Sequence, residues 1–249
     1  MIICKSPLEI EKLRSSGRMV RQLLGEIGEQ VQPGVTTLDL EKFVVKRLKE
    51  LGARPAFKGY RGYPCCLCAS INDEVIHGIP SERRRLKEGD ILSLDMGVVL
   101  DGYVGDSALT VPVGAIDESA QRLLKVTEEA LELAIGKVRL GNRLGDISAS
   151  IQEHAEKNGF SVVREFVGHG IGKALHEEPQ IPNFGQAGHG PLLKEGMVFA
   201  LEPMVNAGGA AVRVLDDNWT AVTVDGGLSA HFEHMVAVTR NGPDVLTRL

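Results

Sequence analysis

Four acidic residues and one histidine interrupt segments that otherwise read as buried. Asp95 ends the run Ile91-Leu92-Ser93-Leu94, and Glu202 ends Met197-Val198-Phe199-Ala200-Leu201. Asp101-Gly102 between apolar runs is a strong signal for a two-residue β-hairpin loop. That loop pairs Leu100 with Tyr103 and sets Asp95 opposite Ala108. Asp106, two residues from Ala108, then shares a face with Asp95. Diagonal neighbours of this kind sit about 7–8 Å apart at Cα, so both carboxylates could reach one cation. Glu233 falls mid-strand in an alternating segment, on the opposite face from Phe232. The segment Gly168-His169-Gly170-Ile171-Gly172 places His169 in a glycine-rich loop after a strand, and His176 follows seven residues later. Taken singly, each feature is ordinary turn, cap or core chemistry. Buried together, the acids would repel one another, and one divalent cation or two would neutralise them. The glycine-rich segment is not a dinucleotide fingerprint, because GxGxG is not GxGxxG and no helix clearly opens there.

The elements that must position these groups follow from periodicity. Residues 6–31 read as a helix with Ser6 as cap, Pro7 in the first turn and Glu9 completing a capping box. Further helices are expected over about 37–51, 118–135 and 145–158, and strands over 66–71, 91–100, 103–111, 162–167, 197–205, 211–224 and 229–239. Gly34 and Gly52 bracket the second helix as Gly141 and Gly159 bracket the fourth. Leu86-Lys87-Glu88-Gly89 precedes one strand as Leu193-Lys194-Glu195-Gly196 precedes another. Every pair is offset by 107 residues, which points to an internal duplication. Asp95 and Glu202 occupy equivalent places in the two copies. Two helix–helix–sheet units, roughly 1–112 and 113–249, are expected to pack as one pseudo-symmetric α+β domain over 1–249 with a cleft between them.

Composition removes several alternatives. The chain has 249 residues, a net charge of −5 and 43% hydrophobic residues, which is globular and argues against a general phosphate-backbone binder. No apolar run approaches the roughly 20 residues of a membrane helix, and charges interrupt the first residues where a signal peptide would need an apolar core. Three of the four cysteines, Cys65, Cys66 and Cys68, crowd together, which suits reduced thiols in a cytoplasmic protein better than a disulfide framework. Without a second CxxC or a nearby His pair they do not read as a zinc site.

The stretches SINDEVIHGIP (70–80), SLDMGVVLDGYVGDSALT (93–110), FVGHGIG (166–172), LHEEPQIPNF (175–184), GMVFALEPMVNAGG (196–209) and SAHFEHMVAV (229–238) resemble the type I methionine aminopeptidases over nearly the whole chain. The resemblance implies the pita-bread (creatinase/aminopeptidase) fold, an α+β pseudo-twofold repeat around a central antiparallel sheet. It implies removal of the N-terminal methionine from nascent proteins and peptides with a small second residue. Two divalent cations would be held by Asp95, Asp106, His169, Glu202 and Glu233, with Asp106 and Glu233 shared between them. Four carboxylates and an imidazole suit Mn(II), Fe(II), Co(II) or Zn(II) over softer ions. Such a centre activates water for attack on the first peptide bond. The resemblance makes Glu202 the proton shuttle as well as a ligand. It makes His176 a donor to the substrate carbonyl and His77 a contact of the substrate's backbone nitrogen. The methionine pocket would be Tyr60, Tyr63, Cys68, His77, Phe166 and Trp219, sulfur and aromatic neighbours that suit a thioether. A monovalent-cation site near Asn72, Glu74 and Ser229 is also implied, built mostly from backbone atoms.

Three positions depart from the family. It commonly has Gln in place of His231, Thr in place of Met235 and often Tyr in place of Phe166, which bears on fine specificity and on the surroundings of Glu233. The expected partners are nascent polypeptide N-termini, with an encounter at the ribosome compatible, and a monomer is expected without nucleic acid or membrane. A proline-directed peptidase of the same fold is the nearer rival. Those enzymes usually carry an N-terminal domain and a different histidine pattern. A binding protein that lost catalysis is the rival from another class, and it should have lost ligands.

Overall fold

A computed structural model describes residues 1–249. Helix α1 (Pro7–Gly28) starts on the expected capping box: the Ser6 hydroxyl accepts the Glu9 N–H, and the Glu9 carboxylate accepts the Ser6 N–H. It ends three residues before position 31, where its last hydrogen bonds tighten to Gln30 N–H to Ile27 O and Val31 N–H to Gly28 O. Helix α2 (Thr37–Glu50) begins on a second capping box, Thr36 with Asp39. Strands β1 (Arg54–Pro55), β2 (Leu67–Ile71), β3 (Glu74–Ile76), β4 (Ile91–Leu100) and β5 (Tyr103–Pro112) complete the first half. The second half holds α3 (Glu118–Lys137), α4 (Leu144–Lys157), β6 (Ser161–Val162), β7 (Gly168–Gly170), β8 (Glu177–Ile181), β9 (Val198–Leu201) and β10 (Met204–Asn206). It closes with β11 (Val212–Val214), β12 (Ala221–Thr223), β13 (Ser229–His231), β14 (His234–Thr239) and β15 (Gly242–Val245).

The repeat extends to backbone detail. Helices α2 and α4 correspond residue for residue at the 107-residue offset. The lone bridges Thr36–Arg85 and Arg143–Leu192 do too, as do the left-handed glycines Gly34 and Gly141, Gly52 and Gly159, and Gly89 and Gly196. Each half carries its own apolar core. Leu23, Leu24, Val44, Leu94 and Met96 pack in the first, Leu131, Ile147, Phe199 and Val236 in the second, and Phe232 touches both. Helix α1 lies directly on β5, so close that a Cβ on Gly105 would stand 2.3 Å from the Ser16 carbonyl oxygen. No helix is long and apolar enough to cross a membrane.

The hairpin register is the expected one, Leu100 with Tyr103 and Asp95 with Ala108. On its other edge β4 pairs with β2, placing Cys68 beside Asp95. In the second half the strand order is β15-β14-β9-β7-β8. The halves meet along β5: Glu233 N–H donates to Ala108 O (2.9 Å), and Ser107 Oγ to Glu233 O (2.8 Å).

Four long expected strands are in fact broken. The 197–205 run divides at Glu202-Pro203, where proline has no N–H to offer a ladder. The facing 229–239 run divides at Phe232-Glu233, so Glu233 sits in the gap between β13 and β14 and not within a strand. Residues 211–224 form a hairpin whose turn places Asn218 at φ +63° and hangs the Trp219 and Thr220 N–H groups on Asp217. The 162–167 run keeps strand structure only at β6. His169 lies on β7, paired with Ala200, and not in a loop.

Candidate active site

A cavity of about 290 Å³ opens where the two halves meet. All five acid and imidazole residues read from the sequence line it: Asp95, Asp106, His169, Glu202 and Glu233. His77, His176, Tyr60, Tyr63, Cys68, Phe166 and Trp219 line the same space. Sequence reasoning missed Phe57, Arg61, Glu165, Val167 and Leu175, which also border it. Those five carry no spacing signal; they reach the cavity only because the chain folds back there.

At the acidic end, donor atoms of Asp106, His169 and Glu233 lie within 4.8 Å of one another, and all three residues are buried. His169 Nδ1–H donates to Gly170 O (3.0 Å), which leaves Nε2 as a lone pair 3.5 Å from Glu202 Oε1 and 3.8 Å from Asp106 Oδ2. This is the tautomer a metal-ligating histidine takes. Three buried carboxylate oxygens, Asp95 Oδ1, Asp106 Oδ1 and Glu233 Oε1, have no hydrogen-bond partner.

Burial and mutual repulsion set the electrostatics. Burial, with Glu202 nearby, pushes the Asp95 carboxyl up to about 7, and burial pushes Glu202 up to about 8. Asp106 and Glu233 are raised well above the usual carboxylate range, by burial first and then by neighbouring acids. Burial lowers His169 to about 3 and His77 to about 4, so both are neutral at pH 7. Four acids, a neutral imidazole and orphaned oxygens form a donor set that fits hard or borderline divalent cations.

The other wall is aromatic. His77 sits at φ +62°, an uncommon conformation for a residue with a side chain. Its ring meets Phe166 edge-on at 5.7 Å and Trp219 at 5.9 Å. Gly78 next to it leaves no room for a Cβ, which would stand 2.5 Å from Ala69 O. Tyr63 packs edge-on against Trp219 at 5.0 Å, and its hydroxyl donates towards the Leu67 and Gly78 carbonyls. Cys68 is buried, and burial raises its thiol well above the ordinary value. His176 stands at the exposed mouth, its Nδ1 2.8 Å from the Tyr60 hydroxyl and its ring 4.3 Å from that of His169.

The departing residues sit close by. Met235 Sδ accepts the Asp106 N–H at 3.2 Å, and His231 Nε2 is 3.6 Å from Glu202 Oε2. Near the expected monovalent-cation segment, Ser229 N–H donates to Asn72 O at 2.9 Å. The Glu74 carboxylate there accepts the Ile71 N–H and pairs with Arg84.

Known proteins resemble this chain in sequence and fold. A model described as metallopeptidase family M24 matches residues 11–240. A methionine aminopeptidase of Clostridium acetobutylicum is 51% identical over 99% of both chains, and methionine aminopeptidase 1 of Bacillus subtilis is 51% identical over the full length of both. The crystal structure of a methionine aminopeptidase from Thermotoga maritima superposes with a TM-score of 0.98 at 49% identity, covering both chains completely. A prolidase from Pyrococcus horikoshii, 21% identical, superposes at 0.80 over the whole of this chain and 64% of its own, and so shares the fold alone.

Proposed function

The chain belongs to metallopeptidase family M24 and has its pita-bread fold, and from that premise we propose that it is a methionine aminopeptidase that releases N-terminal methionine ahead of a small second residue. The observation that carries this reading is the set of orphaned carboxylate oxygens in a cavity that aromatic rings and the Cys68 sulfur also line. Asp95, Asp106, His169, Glu202 and Glu233 would hold two divalent cations. When bound, the cations acidify water and polarise the scissile carbonyl. A Glu202 carboxylate oxygen takes the proton from the attacking water and passes it towards the leaving amine. His176 accepts from the Tyr60 hydroxyl at Nδ1, which leaves Nε2–H to donate to the substrate carbonyl oxygen. His77, neutral and held in place by its aromatic neighbours, contacts the substrate backbone nitrogen. Tyr60, Tyr63, Cys68, Phe166 and Trp219 enclose the thioether. A monovalent cation near Asn72 and Ser229 would brace the strands behind His77. The enzyme acts in the cytoplasm, as a monomer, on nascent N-termini as they leave the ribosome.

Metal-depleted protein reloaded with Mn(II), Co(II), Fe(II) or Zn(II) should release methionine from Met-Ala peptides and leave Ala-Ala and X-Pro peptides intact. Elemental analysis of the reloaded protein should find two ions per chain. No release with any of the four metals would overturn the assignment. Release from X-Pro alone would move it to the proline-directed branch, and one ion at full activity would remove the second metal.

A further inference from the structure

We infer that His231 is a positioning residue for Glu202, its Nε2–H donating to Glu202 Oε2 and so fixing which carboxylate oxygen turns into the cavity. The inference rests on the reading of Glu202 as a metal ligand. His231 is 1% exposed, and neither ring nitrogen has a hydrogen-bond partner. An orphaned polar atom in a dry core costs about 1–3 kcal/mol, so a ring with two of them is poor core filling. Glu202 Oε2 lies 3.6 Å from His231 Nε2, while the other oxygen, Oε1, lies 3.5 Å from His169 Nε2. The Glu202 carboxylate is thus flanked by two imidazoles, one on each oxygen. They differ in their access to the cavity. His169 lines it, whereas His231 does not. That placement suits a donor to the carboxylate and not a further ligand.

The backbone holds the ring there. His231 N–H donates to Thr110 Oγ1 at 2.9 Å, and the same hydroxyl donates to His231 O at 2.8 Å. On its other side β13 pairs with β10, His231 opposite Met204. The duplication makes the position meaningful. Asp106 pairs with Gly97, two residues after Asp95; His231 pairs with Met204, two residues after Glu202. His231 is therefore diagonal to Glu202 as Asp106 is to Asp95. One copy places a second acid at this point and the other an imidazole. The gap of 3.6 Å is a few tenths of an ångström beyond hydrogen-bond contact, within reach of a small rotation of the carboxylate.

Three variants test this. His231→Leu and His231→Met keep the volume and remove the donor, whereas His231→Gln keeps a donor. Each is stripped of metal and titrated with Co(II) by calorimetry and by visible absorption, and its metal-free thermal midpoint is measured. The Leu and Met variants should bind Co(II) about 10–100-fold more weakly, the usual effect of losing a partner of a ligand. Their Co(II) spectra should be altered and their metal-free midpoints unchanged or higher. The Gln variant should stay within about threefold of wild type. A lower midpoint with unchanged Co(II) affinity would show His231 to be core filling and overturn the inference, as would a Gln variant as weak as Leu. Should Leu fail to fold, Met decides alone. Glu202→Gln is the control: if it binds Co(II) like wild type, Glu202 is no ligand and both readings fall. If only Glu202→Gln loses affinity, the metal-site reading stands and the His231 inference fails.

Discussion

Metal-free protein should lose stability as the pH is raised from 6.5 to 8.5, opposite to what acid-sensitive ion pairs would give. In the unfolded chain carboxyl groups titrate near 4, so they are ionised throughout this window. In the folded chain Asp95 holds its proton to about 7 and Glu202 to about 8. Raised carboxyl pKa values give stability that is complete below the unfolded value and lost as the pH passes through the folded one. Integrating the proton difference over two pH units gives a loss of about 1 kcal/mol from Asp95 and about 2 kcal/mol from Glu202. The lowered histidines work the other way: the unfolded imidazoles are half protonated at about pH 6.5, so His77, His169 and His234 together return about 1 kcal/mol across the window, and His176 and His231 act in the same sense. The net loss is at most about 2 kcal/mol, which for a chain of this length is a fall of up to about 4–8 °C in thermal midpoint. Scanning calorimetry on chelator-treated protein measures it. With saturating Mn(II) the acids are ionised at every pH in the window, so the fall should vanish and the gap between the two curves should widen with pH. Calorimetric Mn(II) binding at pH 7, in buffers of different ionisation enthalpy, should release about one proton or more per chain. A metal-free midpoint that is flat or rising between pH 6.5 and 8.5 would refute the claim that these acids are buried against one another.

Asp106→Asn should lower Mn(II) affinity by about a hundredfold or more without lowering the metal-free midpoint at pH 8, since it removes a repelled carboxyl; elemental analysis and a thermal melt check the two halves. Gly105→Ala should destabilise by about 1–3 kcal/mol or more in urea, because the new Cβ meets backbone atoms of Ser16 and Gly17 that move only if α1 moves. Trp219→Ala should raise KM for a methionyl peptide about tenfold, or about 1.4 kcal/mol, and leave kcat within about threefold; an effect on kcat alone would remove Trp219 from the pocket wall.

What the sequence made legible was local chemistry with a strict geometric consequence. Asp101-Gly102 fixes a two-residue loop, the loop fixes the register, and the register puts Asp95 diagonal to Asp106. The capping box at Ser6 marks the start of α1 to the residue. Glu233 and His169 were legible as chemistry and misplaced as structure. The break at Phe232-Glu233 faces the break at Glu202-Pro203, and only the pairing of the two strands reveals it. Strands β1, β3, β8 and β15 were invisible because runs of two to five residues show too little alternation to register as a period. The nearness of His231 to Glu202 had no local signal at all, since it is set by the ladder between segments far apart in the chain.

That ladder also separates two layers of the site. Asp95 and Asp106 are 11 residues apart, whereas Glu202 and His231, which stand in the same relation, are 29 apart. The second copy therefore carries 18 more residues in the connection that the first closes with Asp101-Gly102. The extra length forms the hairpin of β11 and β12, and β12 pairs with β3, the strand that ends at Ile76, just before His77. It brings Trp219 against both His77 and Tyr63. The duplicated frame brings Asp95 and Glu202 to the same cavity, and the inserted hairpin adds Trp219 to its aromatic wall. Substitutions in the frame should thus act first on metal affinity. Changes confined to the hairpin should act on which side chain the cavity accepts, with the bound metal undisturbed.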